Sequence, residues 1–222
     1  NDLSTRKKEL LRQRLEGRGL RAGGLDESAR PERIGVPAAA RGDGDETPMP
    51  AGLQRLWFIG HRDPDDTSLN VGVAFALAGD LDPARLRAAF ESVVDKHEPL
   101  RAAYDADASG APVIRHRSAV ELPWTEHDLA GLSGEAARRR LRVLARREQS
   151  TPFDLRTQPP LRVALVRRAD DHVLLFTVHH IAWDDESWRV LFDDLAAAYA
   201  GRSLTPPPVA VADLPESDPG RV

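Results

Sequence analysis

No cysteine occurs in the 222 residues. That absence excludes disulfides, thiol catalysis and any cysteine-ligated metal. No apolar run approaches the roughly 20 residues that a membrane-spanning helix requires, and no signal-peptide pattern opens the chain. A cytoplasmic location is the resulting expectation. An excess of basic residues is also missing. Lys and Arg total 31 against 35 Asp and Glu, a formal net charge of −4. Such a balance carries no electrostatic footprint for nucleic acid. The chain opens on Asn1 rather than Met, so it is expected to be a piece of something longer.

What is present suits a packed domain. Hydrophobic residues make up 41% and charged residues 30%, a globular rather than a disordered composition. Residues 3–20 place Leu3, Leu10, Leu11 and Leu15 near one helical face among basic residues, and Gly17 and Gly19 close it. Residues 21–47 mix Gly, Ala, Pro, Arg and Asp without a period and read as linker. A domain over 48–204 follows, and 205–222 is a proline-rich tail. Within the domain, Val71 to Ala78 alternates large and small apolar residues, as a strand covered on both faces would. Asp82 and Pro83 supply an N-cap and first turn for a helix burying Leu86, Phe90, Val93, Val94 and His97. Pro112 to Arg117 is a short strand. Ser133 caps a helix reaching about Gln149, with Ala137, Leu141 and Leu144 inward. Its six arginines form a solvated face or a patch for an acidic partner. Leu161, Val163 and Leu165 alternate as in a strand, and Asp170-Asp171 turns the chain into the next one.

That next strand, His172 to Val178, ends in His179-His180-Ile181-Ala182-Trp183-Asp184-Asp185-Glu186-Ser187-Trp188. Trp188, Leu191, Leu195 and Tyr199 then recur at helical spacing, and Gly201 marks the stop. Asp184 and Asp185 are both possible N-caps. Two histidines and an aspartate therefore occupy a tight strand-to-helix turn, where α/β folds hold ligand-binding side chains. Such a pair can equally be core-edge residues with satisfied hydrogen bonds. The spacing matches none of the usual metal-ligand signatures, so no metal is expected.

The segment from His179 to Asp184 resembles the HHxxxD core of condensation domains of nonribosomal peptide synthetases. Three further stretches resemble the same family in order and spacing. Arg55-Leu56-Trp57 matches part of SxAQxRLWxL, with Pro50 for Ser and Leu53 for Gln. His97-Glu98-Pro99-Leu100-Arg101 matches RHExLRTxF, with Lys96, Ala102 and Tyr104 substituted. Pro152-Phe153-Asp154-Leu155 and Pro160 to Val166 resemble PFDL…PLLRAxL. The fold this resemblance implies is α/β. It is a two-layer sandwich, a mixed β-sheet with helices packed on it, in one lobe of a chloramphenicol-acetyltransferase-like domain. The implied activity is amide formation between an acyl or peptidyl thioester and an aminoacyl thioester. His180 would face the channel and manage the amine's proton. His179 would point away and fix the turn, and Asp184 would tie the loop through an arginine. Arg101 would pair with acids near the sheet or shape the channel floor. Trp183, Asp185 and Ser187 would border the channel. No cofactor would bind directly, since phosphopantetheine arrives on donor and acceptor carrier protein domains. A C-terminal lobe is the other implied partner. Asp185 stands where many members have glycine, and Ser187-Trp188 also resembles the epimerization form. Epimerization, transfer from coenzyme A, and non-catalytic recruitment are the competing readings.

Overall fold

The structure, a computed structural model, describes residues 42–204. The helix expected over 3–20, most of the linker and the tail lie outside the described residues. The fold is built on β7 (His172–His179), whose residues from Val173 onward are buried. β-branched and aromatic side chains on both faces suit a central strand covered from both sides. Its antiparallel neighbours are β2 (Asn70–Leu77) and β6 (Leu161–Arg167), and β5 (Trp124–Asp128) joins β6 in parallel. The order is β2-β7-β6-β5. A parallel pair needs a long crossover, and α3 (Gly134–Ser150) supplies it between β5 and β6. β1 (Glu46–Pro48), β3 (Ala103–Ala106) and β4 (Pro112–Arg115) form a second sheet in the order β1-β4-β3.

Strand alternation sorts the core into layers. Leu161, Val163, Leu165, Leu174, Phe176 and Val178 face α2 (Pro83–Lys96) and α4 (Ser187–Tyr199), which contribute Leu86, Phe90, Val93, Leu191 and Leu195. Ala164, Val166, Val173 and Leu175 face α3, through its Ala137 and Leu144. The expected mixed α/β fold is present, with helices on both faces of the larger sheet. The expected caps form as well. Asp82 accepts from the Arg85 backbone N–H at 3.0 Å, and Ser133 from Ala136 at 3.4 Å. Gly201, at φ +76°, ends α4 in a conformation L side chains rarely adopt.

Two expectations need correction, and one strand gave no expectation at all. β2 is an edge strand, so only its larger residues, Val71, Phe75 and Leu77, pack on the core. The face carrying Ala74 and Ala76 is exposed. The linker reading of 21–47 fails at its end, because Glu46 and Thr47 belong to β1 and pair with Arg115 and Ile114. A three-residue edge strand is too short to print a period. Finally, β5 left no readable pattern: its sequence, WTEHD, is largely polar because the sheet ends there.

Candidate functional site

The same period of two that builds the core separates the two histidines. Leu174, Phe176 and Val178 face α2 and α4, while Val173 and Leu175 face α3. His179 continues the second set and is 5% exposed. It lies in register with Asn70, whose side-chain amide donates to the carbonyls of Gln149 (2.8 Å) and Thr151 (2.9 Å) at the end of α3. Phe153 meets the His179 ring edge-on at 6.1 Å. The Ile181 backbone N–H donates to His179 Nδ1 at 3.2 Å, which fixes the tautomer with its proton on Nε2. Burial, together with the neighbouring His180, lowers the His179 pKa from 6.5 to about 4.

A neutral, buried imidazole has a thermodynamic signature. Between pH 6.5 and 4 the unfolded chain binds a proton there that the folded chain refuses. Stability is therefore unaffected above that window, falls through it, and carries the full penalty below it, about 3 kcal/mol. Urea midpoints of wild type and His179→Asn at pH 7 and pH 4 check this. The wild type should lose more between the two, and equal losses would contradict the assignment.

His180 continues the other set and is exposed. It opens a single 3-10 turn, His180–Ala182. Its backbone N–H donates to the Leu69 carbonyl at 2.8 Å. Its Nδ1 lies 2.5 Å from the Trp183 carbonyl. A carbonyl only accepts, so Nδ1 carries a proton, and in the neutral ring Nε2 holds the lone pair. Trp183 is held by the rings of Phe176 (5.2 Å) and Trp188 (4.8 Å). The tautomer of His180 thus rests on a carbonyl anchored in the aromatic core.

Asp184 turns back on the helix it introduces. Its Oδ1 accepts from the Ser187 backbone N–H (2.9 Å) and hydroxyl (2.6 Å). No arginine forms an ion pair with Asp184 among the described residues. Neither expected cap holds the N-cap position, which falls to Glu186 without a side-chain bond; Asp184 braces the turn just before it, and Asp185 is exposed. Arg101 also finds partners other than acids. Its guanidinium donates to the carbonyls of Arg117 (2.7 Å) and Asp95 (2.7 Å), closing the last turn of α2.

A cavity of about 580 Å³ lies between these elements. His180, Trp183, Asp184 and Ser187 line it, and Asp185 and Arg101 do not. Its apolar walls come from α1 (Ala51–Arg62) through Leu53 and Leu56, from α2 through Val93, and from α4 through Val190 and Leu191. Two lining residues carried no functional reading in the sequence. Tyr104 donates to the Pro99 carbonyl at 3.0 Å, and burial beside Glu98 pushes its hydroxyl pKa up, so it stays protonated. His97 bonds through Nε2 to Asp194 Oδ2 at 2.6 Å. Its signal was its place at the end of α2, beside Arg101; helical periodicity alone marked it as core. Among the described residues no cluster of three or more metal-ligating side chains occurs, and no helix is long and apolar enough to cross a membrane.

Comparison with known proteins bears on the same region. The condensation domain family model matches residues 47–214. The chain is 35% identical over 154 residues to a linear gramicidin synthase of Brevibacillus parabrevis, covering 68% of this chain and 3% of that protein. It is 39% identical over 159 residues to the isonitrile lipopeptide synthase of Mycobacterium tuberculosis, covering 70% and 6%. The chain thus spans a small part of the length of these relatives. Among solved structures, the starter condensation domain of rhizomide synthetase aligns with a TM-score of 0.64 at 19% identity. That alignment covers 72% of this chain and 41% of the other.

Proposed function

The chain belongs to the condensation domain family, and from that premise we propose that it supplies the histidine-bearing lobe of an amide-forming acyltransferase. The substrates are an acyl or peptidyl thioester and an aminoacyl thioester, each tethered to a phosphopantetheine arm on a carrier protein domain. The reaction is placed in the cytoplasm. The observation that carries the reading is the anchoring of His180 through Nδ1 to the Trp183 carbonyl, on a largely apolar cavity, with Nε2 left without a hydrogen-bond partner. A neutral imidazole there accepts a proton from the attacking nitrogen and returns one to the leaving sulfur. Low polarity around it strengthens both transfers.

His179 serves the site by holding the turn, since Nδ1 is committed to the Ile181 backbone and the ring is buried. Asp184 stiffens the same turn through Ser187. Arg101 secures the end of α2, which delivers His97 and Leu100 to the cavity. Trp183 sets the direction of the His180 ring. Asp185 replaces the glycine of many members at an exposed position, where a side chain has room.

Only 41% of the solved neighbour is covered by this chain. The remaining wall of the channel, including the arginine expected near Asp184, is assigned to a C-terminal lobe. The test is amide formation between two loaded carrier proteins, read by mass spectrometry of the carrier-bound product. The full-length parent should yield the condensed product, whereas these 222 residues alone should show turnover indistinguishable from background. Isolation loses the positioning that brings the two thioesters together. An inverted stereocentre, or an acylated small molecule, from the parent would overturn the reading in favour of epimerization or coenzyme A chemistry.

A further inference from the structure

The cavity holds a second imidazole. His97 follows the last residue of α2 and lines the same space as His180. Its Nε2 sits 2.6 Å from Asp194 Oδ2 on α4. Lys96 Nζ donates to both oxygens of that carboxylate, at 2.8 and 2.7 Å. Burial works to raise the Asp194 pKa, but the hydrogen bonds from Lys96 and His97 outweigh it and hold the group below the usual range. An ionised carboxylate only accepts, so Nε2 of His97 carries a proton, and in the neutral ring Nδ1 holds the lone pair. Among the described residues, the sealed side-chain atoms without partners belong to Asn70, His172 and Trp183. Nδ1 of His97 is not one of them: it is unbonded and reachable.

Two imidazoles therefore line one cavity, each held by an acceptor on one nitrogen, which leaves His180 Nε2 and His97 Nδ1 without hydrogen-bond partners. The proton count of amide formation calls for two acceptors. The incoming nucleophile is an ammonium, which must shed one proton to attack and a second to become an amide. We propose that His97, oriented by Asp194, is the second proton acceptor of this cavity and prepares the amine that His180 then serves. The inference rests on the amide-forming reading above. In the sequence we envisage, the ammonium gives its first proton to His97 Nδ1. The freed lone pair forms the C–N bond at the thioester carbon, and the C–S bond breaks. The second nitrogen proton passes through His180 Nε2 to the departing thiolate, and His97 returns the first to water. Ammonium and thioester thus become amide, thiol and one released proton.

The groups around His97 are accounted for on each packed element. Lys96 and Asp194 share the ion pair, Asp184 and Glu186 line the cavity with His180, and Glu98 is engaged by His116.

The test uses the full-length parent with loaded carriers and single-turnover rates from pH 6 to 9. His97→Gln keeps a donor towards Asp194 and cannot titrate. Its rate should fall on the order of a hundredfold near pH 7, and the deficit should shrink as pH passes the amine's own pKa of about 8. A deficit equal at every pH, or none, would overturn the proposal, because a merely structural histidine has no reason to be replaced by hydroxide. If His97→Gln melts early, Asp194→Asn provides the same profile with the ring left in place. A pH-independent loss there is equally fatal. His180→Ala separates the two readings. Full activity in that variant removes the amide-forming reading itself, while loss there beside a wild-type His97→Gln removes only this inference.

Discussion

Replacing His180 by alanine in the full-length parent should lower amide formation by about two to four orders of magnitude, the span of a positioned acid–base group, while leaving the melting temperature of the lobe almost unchanged. The two halves of that expectation come from separate features. The ring is exposed, so its removal leaves no cavity in the core. The backbone bond to Leu69 survives the substitution, so the turn keeps its anchor. What goes is one hydrogen bond to the Trp183 carbonyl, worth about 1 kcal/mol net. Against this, the cavity loses the imidazole to which the proposed reaction assigns proton transfer. Single-turnover rates with saturating carriers isolate the chemical step from carrier binding, and a thermal melt of the same preparation checks the fold. Unchanged product formation would identify the lobe as a recruitment domain that merely retains the fold.

How much of this could be read from the chain itself differs by element. β6, β7, α2, α3 and α4 announce themselves, because each buries a regular stripe and each of the three helices carries a cap or stop of the right type. β2 was legible as a strand but not as an edge, since alternation of large and small residues does not say what covers the small ones. β1 and β5 escaped because pairing, not side-chain burial, makes them strands: Glu46 to Arg115 and Trp124 to Val163 are contacts across the chain that no local window contains. The site divides in the same way. That His179 and His180 diverge follows from strand alternation once β7 is placed. The partner of Asp184 did not follow, because a serine three residues on competes with any distant arginine for the same carboxylate. Arg101 was recognisable as structural, yet its partners are backbone carbonyls, which carry no residue-type signal. His97 lay in plain view within a motif, but its role depends on Asp194, 97 residues away, and on a helix pairing that only the folded chain displays.

Phe176→Ala should be the most damaging single truncation near the site, at about 3–5 kcal/mol. The side chain is 0% exposed and belongs to the central strand. It touches Phe90 of α2 at 6.2 Å between ring centres, Trp188 of α4 at 5.7 Å and Trp183 of the histidine turn at 5.2 Å. Two helices and the histidine turn therefore converge on one ring. Domains of this size are stable by about 5–15 kcal/mol, so the loss is a large share of the whole. The melting temperature should fall by about 6–20 °C, read by circular dichroism of wild type and variant side by side. Phe176→Leu fills most of the hole and should recover most of the loss. The substitution should also reach the chemistry, since Trp183 supplies the carbonyl that fixes the His180 tautomer and rests on the ring removed. Assayed in the parent well below its new melting temperature, Phe176→Ala should still be slower than Phe176→Leu. A variant that melts within about 2 °C of wild type, a cost below about 1 kcal/mol at this size, would mean that the sheet and the histidine turn are not packed through this residue. The link from core to imidazole would then be broken at its first step.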